Sequence, residues 1–226
     1  MPHPCFRFVW ITLLLVSSSF AGSRESAFQA RAMIGTEVWS RVLRIENDGG
    51  GRGSRYPAEF HALVVAFEDR LWLYTEFDGT QSISRYAGRL ERDQADLGSL
   101  LREIEPGLTQ FEDVTERPPS RIAARPPRYA CFPASVAHWQ KLQRDVNPPT
   151  RARLLAFYPE GQRQGHMVLE YWRDGRRYVF DPEHPGKVRE LSRKLGEDPL
   201  KVARAIHRTG GRDRPARAMQ LELRDA

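Results

Sequence analysis

The sequence predicts an α+β fold built on antiparallel strands, from three observations. Asp174-Gly175, the preferred dipeptide of a two-residue hairpin turn, lies between two runs of alternating character. From Glu59 a second period-two segment begins, in which Phe60, Ala62, Val64 and Ala66 alternate with His61, Leu63, Val65 and Phe67. Leu90, Leu97, Leu100, Leu101 and Ile104 then fall at helical spacing, and Pro106-Gly107 stops that helix.

In chain order, the first element reads as an address label. Arg7 is the only charge before the apolar run Phe8 to Val16, and Ser19-Phe20-Ala21 fits a small-x-small cleavage site, so residues 1–21 are expected to be a signal peptide. The run falls short of the roughly 20 residues of a membrane span. Residues 22–46 read as an N-terminal helix or extended arm carrying Val38, Val42, Leu43 and Ile45. Asn47 to Ser54, rich in glycine, reads as a linker, because no lysine follows at phosphate-loop spacing.

The run Phe60 to Phe67 is apolar on both faces except at His61, which marks a central, covered strand. Glu68-Asp69-Arg70 forms the hairpin loop into Leu71 to Thr75, and Asp78-Gly79 closes that strand. Residues 117–128, with two Pro-Pro pairs among arginines, read as an extended connector leading to Cys131. Pro133 suits a helical first turn, and the helix continues from Ala134 to Arg144. Arg153 to Tyr158 reads as a strand, Gly161 and Gly165 bracket a loop, and the hairpin follows. After Pro185-Gly186 a helical stretch with Leu191, Leu195, Leu200, Val202, Ala203 and Ile206 is expected, then one edge strand at Met219 to Leu223. This organisation divides into an N-terminal α+β region, 22–116, and a region 117–226, or forms one compact domain, 22–226.

Of 226 residues, the two cysteines are Cys5, inside the leader, and Cys131. The exported chain then has one thiol and no intramolecular disulfide, although export meets oxidising conditions. Loss of Arg7 takes the formal charge from +6 to +5, so the exported chain stays basic. Its arginines are spread along the whole length. That pattern fits a solvated surface or acidic envelope polymers better than nucleic acid.

If Asp174-Gly175 is the turn, Arg173 faces Arg176, His166 faces Glu183, and Asp181 faces Val168. His166 and Asp181 then share a sheet face as diagonal neighbours, within ~7–8 Å at Cβ. Met167, Leu169, Tyr171, Tyr178 and Phe180 make up the other, apolar face. A thiol, an imidazole and a carboxylate in this order are the parts of a nucleophile, its base and the group that orients the base. A free cysteine is mostly thiol at neutral pH, and the positive end of a helix dipole favours the thiolate, so Cys131 just before Pro133 is well sited. His138, seven residues after Cys131, is ~10 Å along the helix axis and too far to be the base. His61 reads as structural, His207 as a favourable cation at a helix C-terminus, and His184 as a surface group beside Asp181. No second Cys or His stands at ligand spacing, so no metal or cofactor is expected.

Cys131-Phe132-Pro133-Ala134-Ser135-Val136-Ala137, Gly165-His166-Met167-Val168-Leu169-Glu170 and the strand ending Tyr178-Val179-Phe180-Asp181-Pro182 resemble the transglutaminase-like cysteine-enzyme superfamily over roughly residues 125–185. In that family a cysteine opens a helix, a histidine starts one strand and an aspartate ends the next. The resemblance implies a papain-like core, with a nucleophile helix packed on an antiparallel sheet. It also implies a Cys131, His166 and Asp181 triad acting on a protein, peptide or glutamine carboxamide, with a thioester passed to water or to an amine. The oxyanion would meet the Cys131 N–H. The upstream side-chain donor of papain-like enzymes has no unique counterpart; Tyr129 and Gln110 are the polar residues available. Pro133 and the proline-arginine approach to Cys131 depart from the glycine-rich entry the resemblance leads one to expect. A non-catalytic basic scaffold of the same fold, binding envelope polymers, is the alternative.

Overall fold

The computed structural model describes residues 22–48, 56–68, 70–83, 94–104, 106–120, 127–159, 165–184, 188–207 and 215–224. The expected signal peptide, the glycine-rich linker after Asp48, Leu90 and the loop 161–164 lie outside them. The chain divides into two compact units: residues 1–32 with 38–128, and residues 33–37 with 129–226. The described residues of the connector, 117–120 and 127–128, fall in the first of these units. Helices and two antiparallel sheets make the fold α+β.

The first unit holds a five-stranded sheet of β1 (Ser40–Asn47), β2 (Glu59–Phe67), β3 (Arg70–Thr75), β4 (Gly79–Ile83) and β5 (Leu108–Asp113), in the order β4-β3-β2-β1-β5. The run that is apolar on both faces, β2, lies in the middle. Its residues Phe60, Ala62 and Val64 pack with Leu43, Ile45, Leu71 and Leu73 from neighbouring strands. Leu97 and Leu101 of α2 (Gln94–Ile104) close over that face. A helix over residues 22–34, α1, buries Ala27, Phe28 and Ala30, and Ser23 Oγ accepts the His61 N–H.

The expectation of one helix or extended arm over residues 22–46 is corrected. The helix is confined to 22–34, and Val42, Leu43 and Ile45 belong to β1. That segment is held by ladders on both sides, Leu43 facing Ala62 on β2 and Asp113 on β5. Two β-branched residues between paired strands pack better in a pleated ladder than on a helix.

The second unit holds β6 (Arg151–Pro159), β7 (His166–Arg173), β8 (Arg176–Phe180), β9 (Val188–Glu190) and β10 (Pro215–Leu223), in the order β10-β6-β7-β8-β9. Helix α3 (Cys131–Gln143) lies on one face, where the His138 ring stacks on Phe180 at 4.0 Å. Helix α4 (Pro199–His207) covers the other, its Val202, Ala203 and Ile206 packing with Leu155, Phe157, Val168 and Val179. The continuous helix expected after Pro185 is instead the short strand β9, a 3-10 turn at Arg193–Leu195 and α4. Ser192 caps the 3-10 turn by accepting Lys194 N–H, and Gly196 leaves it at φ 67°, which ends the helical path before Pro199. The last strand starts at Pro215 and is an edge strand, as expected from Met219 to Leu223, but longer.

Candidate active site

The hairpin sets the first half of the site. Asp174 and Gly175 both have positive φ, 53° and 68°, which a type I′ turn demands of its two central residues. Arg173 pairs with Arg176, Tyr171 with Tyr178 and Leu169 with Phe180. One residue beyond Phe180, Asp181 arrives beside His166, and the imidazole Nε2 lies 2.8 Å from Asp181 Oδ1. Both side chains are nearly enclosed, 11% and 8% exposed. The Glu183 N–H donates to Asp181 Oδ1 at 3.0 Å, and the His184 N–H donates to the Asp181 carbonyl at 2.9 Å. The carboxylate is thus fixed by a tight turn as well as by its imidazole.

Helix α3 supplies the thiol. Cys131 is its first residue, preceded by Ala130, and the helix start has neither a side-chain cap nor an acidic residue in its first turn. The positive end of the peptide dipoles is therefore left to whatever negative charge sits there. Tyr129 takes φ 53°, an uncommon conformation for a residue with a side chain, and this turns the backbone into the helix. The partly buried Cys131 Sγ lies 3.8 Å from the Tyr129 carbonyl. It is close enough to His166 for its charge to raise the pKa of the imidazole. Because Nε2 serves Asp181, Nδ1 is the nitrogen left for the sulfur.

Burial disfavours a charged His166, yet hydrogen bonds from the ring to Asp181 and Cys131, together with their charges, outweigh it and raise its pKa to about 10. Burial also opposes the Asp181 carboxylate, but the His166 hydrogen bond and charge, the Glu183 N–H and the charge of His184 bring its pKa below the ordinary value. The imidazole is thus held as a cation between an oxygen and a sulfur, which is the charge state that stabilises a thiolate.

Of the other residues singled out from the sequence, His138 and His207 pack within the second unit, and His61 and Gln110 belong to the first. His138 stacks on Phe180, and its Nε2 is buried without a hydrogen-bond partner; burial lowers its pKa, so it packs as a neutral aromatic. His207 ends α4 with its ring edge-on to Phe157, centroids 5.1 Å apart. His61 is buried in β2, where burial first, and then the charge of Arg24, lower its pKa to about 4. Gln110 lies on β5 of the first unit, opposite Glu46. Tyr129 stands next to the thiol segment and is 48% exposed. Among the described residues no group of three or more His, Cys, Asp and Glu is arranged to hold a metal ion, and no helix is long and apolar enough to cross a membrane.

Two features went unassigned in the sequence. Glu183 reaches the other side of the imidazole, its Oε1 3.5 Å from His166 Nδ1, while remaining 67% exposed. The pairing of His166 with Glu183 is legible from the turn; its part in the site is not, because a surface glutamate has no pattern of its own. The second is a buried ionic cluster. Glu170, fully enclosed, accepts from Arg153 Nε at 2.5 Å and from Arg177 Nε. Arg153 continues to Gln220 and the Glu197 carbonyl, and Arg177 to the Gly196 carbonyl. These bonds tie the hairpin to the segment leading into α4. A lone Glu within the apolar run of β7 was its only signal.

No protein-family model, no curated protein and no solved structure matches this chain.

Proposed function

We propose that this chain is an exported, transglutaminase-like cysteine enzyme that acts on the carboxamide or peptide carbonyl of a protein or peptide. The observation that carries the reading is the run of contacts from a thiol at a helix start, through an imidazole held as a cation, to a turn-fixed carboxylate. In this reading the Cys131 thiolate attacks the carbonyl carbon. The His166 imidazolium gives its Nδ1 proton to the leaving amine, and Asp181 keeps the ring oriented and its positive charge stabilised. The tetrahedral oxyanion is met by the Cys131 N–H at the uncapped helix start. The thioester passes to water or to an acceptor amine, which restores the thiolate and the imidazolium.

Export is proposed from the leader-like first 21 residues, and the papain-like core from α3 packing on the hairpin sheet. The test is the rate of iodoacetamide alkylation of Cys131, followed by mass spectrometry from about pH 4 to 9, for wild type and His166→Ala. Fast labelling well below pH 7 that disappears in the variant is the expected result. A rate that simply rises through about pH 8.5, the same in both proteins, would falsify the catalytic reading and leave a non-catalytic scaffold.

A further inference from the structure

The chain is basic, with a formal net charge of +6, yet two carboxylates, Asp181 and Glu183, flank the His166 imidazole. Asp181 is paired with His166 Nε2, and Glu183 approaches Nδ1 at 3.5 Å, the edge of the ring left for the sulfur. The His166 imidazolium offsets the Asp181 carboxylate it is paired with, which leaves the Glu183 carboxylate as the uncommitted charge. His184, whose charge acts on Asp181, is the other titratable neighbour in this turn. The two carboxylates do different things. Asp181 is enclosed and committed to the imidazole, whereas the Glu183 side chain is 67% exposed and has charge to offer to something outside the protein. Its backbone is nevertheless fixed, because the Glu183 N–H is hydrogen-bonded to Asp181 Oδ1 at 3.0 Å. A carboxylate anchored this way lies beside the His166 imidazole and faces solvent.

We propose that Glu183 is a specificity-determining residue that favours substrates carrying a positive charge next to the reacting carbonyl, such as a lysine or arginine side chain. The proposal rests on the cysteine-enzyme reading above and adds to it a class of substrate. Glu183 takes no part in bond making. It attracts a cationic group arriving at Cys131 and repels an anionic one, and its exposure keeps the preference modest and sensitive to salt.

The test needs no natural substrate. Cys131 of the full chain is labelled with two methanethiosulfonate reagents that differ only in charge, one ending in trimethylammonium and one in sulfonate. In each case a disulfide forms between Sγ and the reagent's thiol sulfur, and methanesulfinate leaves with the electron pair of the broken S–S bond. The ratio of the two rates, divided by the same ratio for a small free thiol, reports the local charge. Wild type is expected to favour the cation. Glu183→Gln should lower the ratio about two- to fivefold, Glu183→Lys should invert it, and about 1 M salt should erase the difference. Glu190→Gln, at an exposed carboxylate on β9 that pairs with Arg176, is the control and should leave the ratio unchanged. A ratio indifferent to both Glu183 substitutions overturns the proposal. Failure of the catalytic reading appears elsewhere, as loss of labelling at acid pH, since the charge ratio can be read at any pH where the thiol reacts.

Discussion

His166 and Asp181 stand fifteen residues apart in sequence and 2.8 Å apart between Nε2 and Oδ1. The intervening residues are two strand segments and the turn Asp174-Gly175. Proximity here is a product of β geometry, with the side-chain period of two and the hairpin register putting both groups at one end of one face.

If that contact keeps the imidazole charged, Asp181→Asn removes the charge while leaving a similar shape. The acid limb of Cys131 alkylation is expected to move up by about one to three pH units. Circular dichroism should meanwhile stay that of the wild type. An unchanged limb would mean that Asp181 orients nothing that matters to the thiol.

The same contact has a consequence for stability. The folded pKa of His166, about 10, lies above its ordinary value near 6.5. A raised pKa contributes stability that is complete below about pH 6.5 and is lost as pH rises toward about 10. Urea unfolding of wild type should therefore show a midpoint that declines over this alkaline window. Asp181→Asn should flatten the decline, and parallel slopes in the two proteins would contradict it.

Glu170 is a different case, because its carboxylate lies between Arg153 and Arg177, all three enclosed. Removing only the acid leaves two buried cations facing each other. Glu170→Gln is expected to cost about 3–5 kcal/mol in chemical unfolding. Replacing all three by apolar residues of similar volume should cost much less than Glu170→Gln alone. A triple variant less stable than the single one would show that the cluster contributes net stabilisation.

Gly165 immediately precedes His166, and a Cβ there would meet the Tyr158 ring at 2.6 Å and the Phe157 carbonyl at 2.9 Å. The ring could swing aside, but the carbonyl belongs to the β6 residue paired with His166. Gly165→Ala is expected to destabilise the protein by about 1–3 kcal/mol and to slow Cys131 alkylation at acid pH by shifting the imidazole. Normal alkylation in a correctly folded variant would show that the base tolerates movement of its strand end.

Much of the second unit was legible because its decisive information is local. The turn dipeptide, the alternation on either side and the proline in the first turn of α3 all act within a few residues, and the observed pairing of Arg173 with Arg176 is the one the dipeptide dictates. Other parts depend on distant partners. Segment Ser40–Asn47 is a strand because β2 and β5 flank it, and β5 lies some sixty residues further along the chain. Within the segment Arg41, Arg44 and Glu46 break any strict alternation, so period alone pointed to a helix or arm. The buried Arg153, Glu170 and Arg177 escaped notice for a related reason. Each reads as a surface residue, and only the fold reveals that their charges answer one another. The contact between Cys131 and His166 joins a helix to a strand, and no pattern within either element encodes it.

The two-residue turn makes the hairpin a ruler whose length is set at one end and read at the other. Loops in general accept an added residue cheaply, since closure entropy grows slowly with length. This one should not, because an extra residue between Arg173 and Arg176 slides β8 against β7 and sends each of its side chains to the opposite face. Asp181 would then point away from His166 although no residue of the site had changed. The least permissive spot for insertion in this region is therefore an exposed surface turn, far from the thiol in sequence and, to inspection, among its most dispensable parts.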